Sequence, residues 1–189
     1  MTLQFNQTNI TNFLLDVPDA GITDAFRLNV QTALIPGISI PTINTPLGKK
    51  GLGRANRPGT TFEFEPLVCR VLIDEKLDAW TDIYTWMLSL NNYLTHDNNG
   101  VLPGVLPDFI SLHILSNDKV TPLMTIHYHN AWPQLIGDLE FNYTEEADPA
   151  IFANVTFQYS HFTVEKNGVI IETRKSISDM LTNGSREVI

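Results

Sequence analysis

Residues 61–91 read TFEFEPLVCRVLIDEKLDAWTDIYTWMLSLN, and the hydrophobic period changes partway along them. Phe62 and Phe64 alternate with Glu63 and Glu65. Period two with one polar side predicts a half-buried strand. Pro66 has no N–H to donate to a ladder, so the strand should break or bulge there. Leu67 to Ile73 is apolar on nearly both faces, and the whole run Thr61 to Ile73 reads as one long interrupted strand. Asp74 then stands where a helix N-cap belongs, with Glu75 in the first turn. Leu77, Trp80, Tyr84 and Leu88 follow at helical spacing and predict one amphipathic helix over residues 75–91. Those four are expected to cover the apolar face of a sheet.

Working outward, the chain on both sides reads as strand and turn. Upstream, Phe13 to Val17 is a short strand candidate, stopped by Pro18 and Asp19-Ala20-Gly21. Phe26, Leu28 and Val30 alternate with Arg27, Asn29 and Gln31, which predicts a second half-buried strand running into Ile35-Pro36-Gly37. Downstream, Phe109 to Leu115 and Leu123 to Asn130 flank the turn Ser116-Asn117-Asp118-Lys119. Trp132-Pro133 reads as a rigid corner between strands. Asp138, Glu140 and Asn142 alternate with Leu139, Phe141 and Tyr143. Val155, Phe157 and Tyr159 alternate with Asn154, Thr156 and Gln158, and Val169 to Thr173 reads as a last short strand. Strands do not alternate with helices, so a parallel α/β sheet is not expected. The reading is mainly β: an antiparallel sandwich or barrel with one packed helix. The 189 residues fit a single domain, with an N-terminal arm at 1–12 and a C-terminal arm at 174–189.

Residues 36–60 differ from their surroundings. They hold four prolines, five glycines, and Lys49, Lys50, Arg54 and Arg57, a third of the chain's 12 basic residues. Structureless loops of this length are uncommon in compact domains and tend to be functional. Ile38-Ser39-Ile40 and Pro41-Thr42-Ile43 could form a hairpin within the segment. Gly48-Lys49-Lys50-Gly51 lacks the Gly-Lys-Ser/Thr and the following helix of a phosphate loop. It reads as a basic arm that meets an acidic protein surface.

Composition narrows the function classes. The chain is 43% hydrophobic and 17% charged, with a formal charge of −9. That balance describes a globular chain. The acidity argues against stable nucleic-acid binding, because like charge repels phosphate. Cys69 is the single cysteine, sits in an apolar run, and offers no disulfide framework. No apolar run approaches the ~18 residues of a membrane helix, so no membrane insertion is expected. Met1 to Asn6 lacks the pattern of a signal peptide.

Few residue clusters suggest chemistry. His127 and His129 share one strand face, with His113 on the preceding strand, a pattern that could hold a metal. No fourth ligand can be placed, so surface or interface histidines are the better reading. Glu63 with Glu65, and Asp138 with Glu140, are paired carboxylates without a His or Lys beside them. They read as wet strand faces rather than general acid/base pairs. No catalytic residue, metal or cofactor is expected, and the chain reads as no enzyme.

The order of features resembles the tail-tube proteins of contractile-tailed bacteriophages. The matching pieces begin with Phe26 to Gly37, where apolar alternation ends at a Pro-Gly corner. They continue with Ile43 to Gly48, Arg57 to Glu63, and Val71 to Glu75, followed by a helix ending near Tyr84-Thr85-Trp86-Met87. The last is Asn130 to Phe141, with Trp-Pro shortly before Gly-Asp-Leu, and Ile151 to Val164 after it. The resemblance implies a structural virion protein. Its subunits form rings, expected to be homohexamers, whose strands close a barrel around a lumen. Stacked rings make a tube that holds the tape-measure protein and later passes DNA during ejection. A contractile sheath and a baseplate are the other partners, and assembly takes place in the bacterial cytoplasm.

On that reading Glu63, Glu65, Asp138, Glu140 and Asn142 are lumen candidates, where acid would keep DNA from sticking. Ile38, Ile40, Ile43, Leu47, Lys49, Lys50, Arg54 and Arg57 are inter-ring candidates. The loop at 95–107 and the C-terminal arm depart from the family pattern. They leave room for a specialised ring, such as a baseplate-proximal tube initiator, or for a secretion or bacteriocin tube. A small-ligand β-barrel would instead require a closed monomer with an apolar cavity. A sandwich hydrolase would require a convergent polar cluster.

Overall fold

The computed structural model describes residues 7–17, 24–48, 51, 53–100, 102, 106–143 and 149–172. In chain order the first elements are β1 (Phe13–Asp16), α1 (Asp24–Asn29), β2 (Val30–Ala33), β3 (Ile38–Ser39), β4 (Thr42–Leu47), β5 (Gly53–Pro58), β6 (Glu63–Phe64), β7 (Leu67–Leu72) and α2 (Asp78–Leu90). Then come β8 (Asn91–Asn92), β9 (Asp97–Asn98), β10 (Phe109–Leu115), β11 (Pro122–His129), β12 (Trp132–Ile136), β13 (Phe152–Gln158), β14 (His161–Lys166) and β15 (Val169–Ile170). Two antiparallel sheets carry the fold. One has five strands in the order β1-β10-β11-β14-β15, the other four in the order β12-β13-β7-β2. The described residues form an open sandwich, not a closed barrel.

The core lies between the sheets. Alternate residues Leu67, Cys69 and Val71 on β7 face Val155 and Phe157 on β13, and across the gap lie Leu112, Ile126 and Tyr128. All are at most 2% exposed. Phe157 is the hub: Phe26 meets its ring edge-on at 5.7 Å and Trp86 at 5.8 Å. Burial pushes the Cys69 thiol up to about 12, so it stays a neutral apolar filler.

The helix forms where expected, with different edges and a different buried face. It starts at Asp78, not residue 75, because Leu77 takes a left-handed conformation at φ 60°. Asp74 still caps it: the Asp78 and Ala79 backbone N–H groups donate to its carboxylate at 3.1 and 3.0 Å. The buried stripe is Ala79, Ile83, Trp86 and Leu90, whereas Leu77, Trp80, Tyr84 and Leu88 are only half-buried. The apolar arc of this helix is wide enough for either stripe. The tyrosine hydroxyl decides between them, because it needs a polar partner. Tyr84 meets the exposed Tyr93 hydroxyl at 2.8 Å, and Trp80 stacks on the Tyr84 ring at 5.1 Å.

Three other expectations change. Residues 24–29 are a helical turn rather than a strand. A strand would place Phe26 and Leu28 on one face; a helix turns ~100° per residue and separates them. Phe26 is accordingly 0% exposed and Leu28 79%. Residues 138–143 belong to no strand, and Phe141 and Tyr143 are exposed. Trp132-Pro133 opens β12, and the corner itself is Asn130-Ala131, between β11 of one sheet and β12 of the other. β12 is an edge strand with a bulge after Pro133, where a missing N–H is tolerated.

Candidate assembly surfaces

The described residues of the basic segment 36–60 form a hairpin arm. β4 and β5 pair in register from Thr42↔Pro58 to Leu47↔Gly53. At its base, β3 pairs with β6, and the Glu65 N–H donates to the Gly37 carbonyl at 3.0 Å. The Gly59 N–H donates to the Pro41 carbonyl at 2.6 Å, and a Cβ on Gly59 would lie 2.7 Å from that oxygen. Only glycine fits so close an approach of two backbones. The strand expected to run unbroken apart from Pro66 is therefore split in two, β6 serving the arm and β7 the core.

Every residue of β4 and β5 is exposed or half-buried. Ile38, Ile40, Ile43 and Leu47 are each 44–58% exposed. Arg54 and Arg57 sit opposite Pro46 and Ile43 and are exposed. Among the described residues neither makes an ion pair. Lys49 and Lys50 lie outside the described residues, as do residues 1–6 of the N-terminal arm and the whole C-terminal arm. Residues 7–12 of the former are clasped by Asn117: its amide donates to the Gln7 carbonyl, and its oxygen accepts from Asn12 at 2.8 Å. Leu34, Ile35 and Phe62 extend the apolar surface at the base of the arm, each more than half exposed. Sequence reading missed them because all three sit in runs that resemble core strands.

The acidic candidates do not share one sheet face. Glu63 is exposed in β6, its carboxylate 3.5 Å from the Ser39 hydroxyl. Glu65 is exposed beside Gly37. Asp138, Glu140 and Asn142 are exposed on the extended chain after β12.

The three histidines expected together do share a face, and the fold adds a fourth. On the outward side of the five-stranded sheet, His113 aligns with Thr125, His127 with Ser111, and His129 with both Phe109 and His161. His161 was invisible to sequence reading, because only the β11–β14 pairing brings it there. His129 and His161 stack with ring centres 4.5 Å apart. Ser111 Oγ lies 2.9 Å from His127 Nδ1, and His127 Nε2 lies 3.3 Å from Glu165 Oε2. This hydroxyl–imidazole–carboxylate chain has the partners of a hydrolase triad. Ser111 is only 3% exposed, however, so a substrate carbonyl has no path to its oxygen. Burial lowers the His113 and His129 pKa, and for His129 the charges of His161 and His127 push the same way. No set of three or more His, Cys, Asp or Glu side chains among the described residues is arranged to hold a metal.

Solved structures share this sandwich fold. A protein of the PVC extracellular contractile injection system sheath–tube complex superposes with a TM-score of 0.59, at 15% identity over 85% of this chain and 92% of the other. The structure of the PVC sheath/tube terminator gives 0.60, at 17% identity over 86% of this chain and 99% of the other. The tube-terminating cap of the anti-feeding prophage gives 0.58, at 14% identity over 88% and 95%. At such identities the likeness speaks for the fold alone. The sequence speaks for kinship: the model of the phage tail tube protein family matches residues 1–165, and this chain belongs to that family. Over 167 residues it is 46% identical to the tail tube terminator protein of Enterobacteria phage T4, covering 88% of this chain and 94% of that protein. The chain is thus a structural component of a phage tail, part of the virion.

Proposed function

We propose that this chain forms the ring that terminates a contractile tail tube. The observation that carries this reading is its 46% identity, across most of both chains, to the T4 tail tube terminator protein. Fold likeness does not choose between a repeating ring and a final one, since the sheath–tube and terminator structures superpose equally well. Sequence identity supports an end-of-tube reading over the plain repeating-subunit one. It also favours a terminator over a baseplate-proximal initiator.

In this reading six copies close a ring through open sheet edges, such as β12 and β2, which offer unpaired backbone groups to a neighbour. The hairpin arm reaches an adjacent ring, and Ile43 and Leu47 supply its apolar contact. Sheath, tape-measure and baseplate proteins are the other tail partners. Glu63, Glu65, Asp138, Glu140 and Asn142 face the lumen, so that DNA passes without being held. A ligand-carrying monomer is disfavoured because Trp86, Phe26, Phe157 and Tyr128 fill the space between the sheets.

The test is to tag the chain in intact virions and image the tails. Label at one end of each tube, with tubes of irregular length when the gene is removed, is the expected result. Label along the whole tube would identify a repeating ring instead.

A further inference from the structure

Four of the chain's five histidines stand on one face of three adjacent strands, β10, β11 and β14. We propose that this face is an acid-sensitive switch: neutral imidazoles hold β14 against β11, and protonation of the opposed pair His129 and His161 loosens β14 and the β15 strand beyond it.

The geometry supplies the force. His129 and His161 are direct cross-strand neighbours whose rings lie nearly parallel, 14° apart, with centres at 4.5 Å. Neutral rings stack favourably at this distance. Two imidazolium ions there repel, and like charges directly opposite one another weaken a strand pair. His127 is two residues from His129 on the same strand face, so a third charge adds to the repulsion. Phe109 lies edge-on against both His127 and His129, at 4.9 and 6.2 Å, and covers one side of each, while His161 is exposed.

The surrounding charges do not cancel the effect. From β1, Asp16 faces His113, but Arg27 of α1 already holds its carboxylate at 3.0 Å. From β14, Glu165 offsets His127 at 3.3 Å. From the chain before β10, Asp108 lies near His129. Lys166 at the end of β14 is exposed, and β15 contributes no charge among its paired residues, Val169 and Ile170. Four protonated histidines and Arg27 therefore outnumber three carboxylates.

The location supplies the response. β15 pairs with β14 only at Glu165↔Ile170 and Lys166↔Val169. The end of β14 that carries His161 thus has β11 on one side and no strand among the described residues on the other. The sign follows from the direction of the shifts. His113 and His129 have folded pKa values below the ordinary ~6.5 of the unfolded chain. Their contribution to stability is whole above that value and is lost as pH falls through the lowered folded values.

Proton NMR of the imidazole signals in the full chain, from pH 8 to 5, reads the pair directly. His129 should bind its proton more weakly in the folded chain than in the urea-unfolded one, and His161→Asn should restore part of that affinity. Amide exchange, corrected for its intrinsic pH dependence, should show β14 losing protection at least tenfold between pH 7.5 and 5.5. Strand β13 of the other sheet, which carries no histidine, should not lose it. That internal comparison needs no variant; should His161→Asn fail to fold, His161→Gln takes its place. Equal proton affinities for His129 in the folded and unfolded chain, or parallel behaviour of β14 and β13, overturns the proposal.

Discussion

The sandwich and the β4–β5 arm are both antiparallel sheet, yet they are held by different things. In the sandwich, alternate side chains of β7 and β13 reach a common interior, and their burial supplies the stabilisation at ~25 cal/mol per Å² of apolar surface. In the arm the ladder has six pairs, while Ile43 and Leu47 remain about half exposed. A two-stranded hairpin without a packed face is marginal in water. Hydrogen bonds alone therefore do not account for the arm. In the proposed function its apolar side chains pack against a neighbouring subunit, which would link this fold to assembly. The difference teaches where mutations should be felt: in the monomer for the sandwich, in the assembly for the arm.

The largest effect on the monomer should come from Trp86. Trp86→Ala removes a ring that is 1% exposed and packed on Phe157, and should cost ~3–5 kcal/mol in chemical denaturation. Trp80→Ala, on the half-buried flank of the same helix, should cost only ~1–2 kcal/mol. Equal losses would mean that the flank is as integral to the core as the stripe.

Deleting residues 48–56 removes the arm's tip and most of β5, none of whose residues is in the core, and should move monomer stability by less than ~1 kcal/mol. The same deletion should abolish ring-on-ring association in sedimentation and negative-stain images. Normal assembly from the deletion would reduce the arm to a surface feature. Pairing Arg54→Ala and Arg57→Ala with Ile43→Ser and Leu47→Ser would then separate charge from apolar contact. The first pair should remove the salt dependence of stacking, which screens over ~10 Å at 0.1 M. The second should remove most of the affinity.

Reversing Glu63, Glu65, Asp138 and Glu140 to lysine should change stability by about ±0.5 kcal/mol per site, because all four are exposed. Virions carrying the change should eject DNA slowly or incompletely. Ejection at the normal rate would place these carboxylates away from the lumen.

The smallest effect belongs to the cap. Hydrogen bonds from the Ala79 and Asp78 amides hold the Asp74 carboxyl below its ordinary range. Its contribution is present above the unfolded pKa and fades as pH falls through the folded one. Asp74→Ala should lower the melting temperature slightly at pH 7, and the difference from wild type should shrink in acid. A difference that persists unchanged at low pH would assign the cap to backbone geometry alone.

What the sequence determined by itself is the local pattern. The strand at 109–115, period two at 154–159, the turn at 116–119, the break at Pro66 and the cap at Asp74 all follow from short-range chemistry, as does the mainly β class with its single long helix. The composition of 36–60 also marked an arm, because glycine, proline and basic residues cannot build a core. Tertiary structure decided everything that depends on a second surface. It chose Trp86 over Trp80 as the buried ring, because the core offers one large vacancy beside Phe157 while Tyr84 needs a partner outside. It turned 24–29 into a helix against an alternating pattern, because Phe26 fills the interior and Leu28 has no partner there. It left 138–143 outside every strand, since a strand requires a neighbouring strand as well as a period. It also brought His161 across from His129, 32 residues away in sequence, because strand register is set by the packing of whole sheets and not by either strand alone.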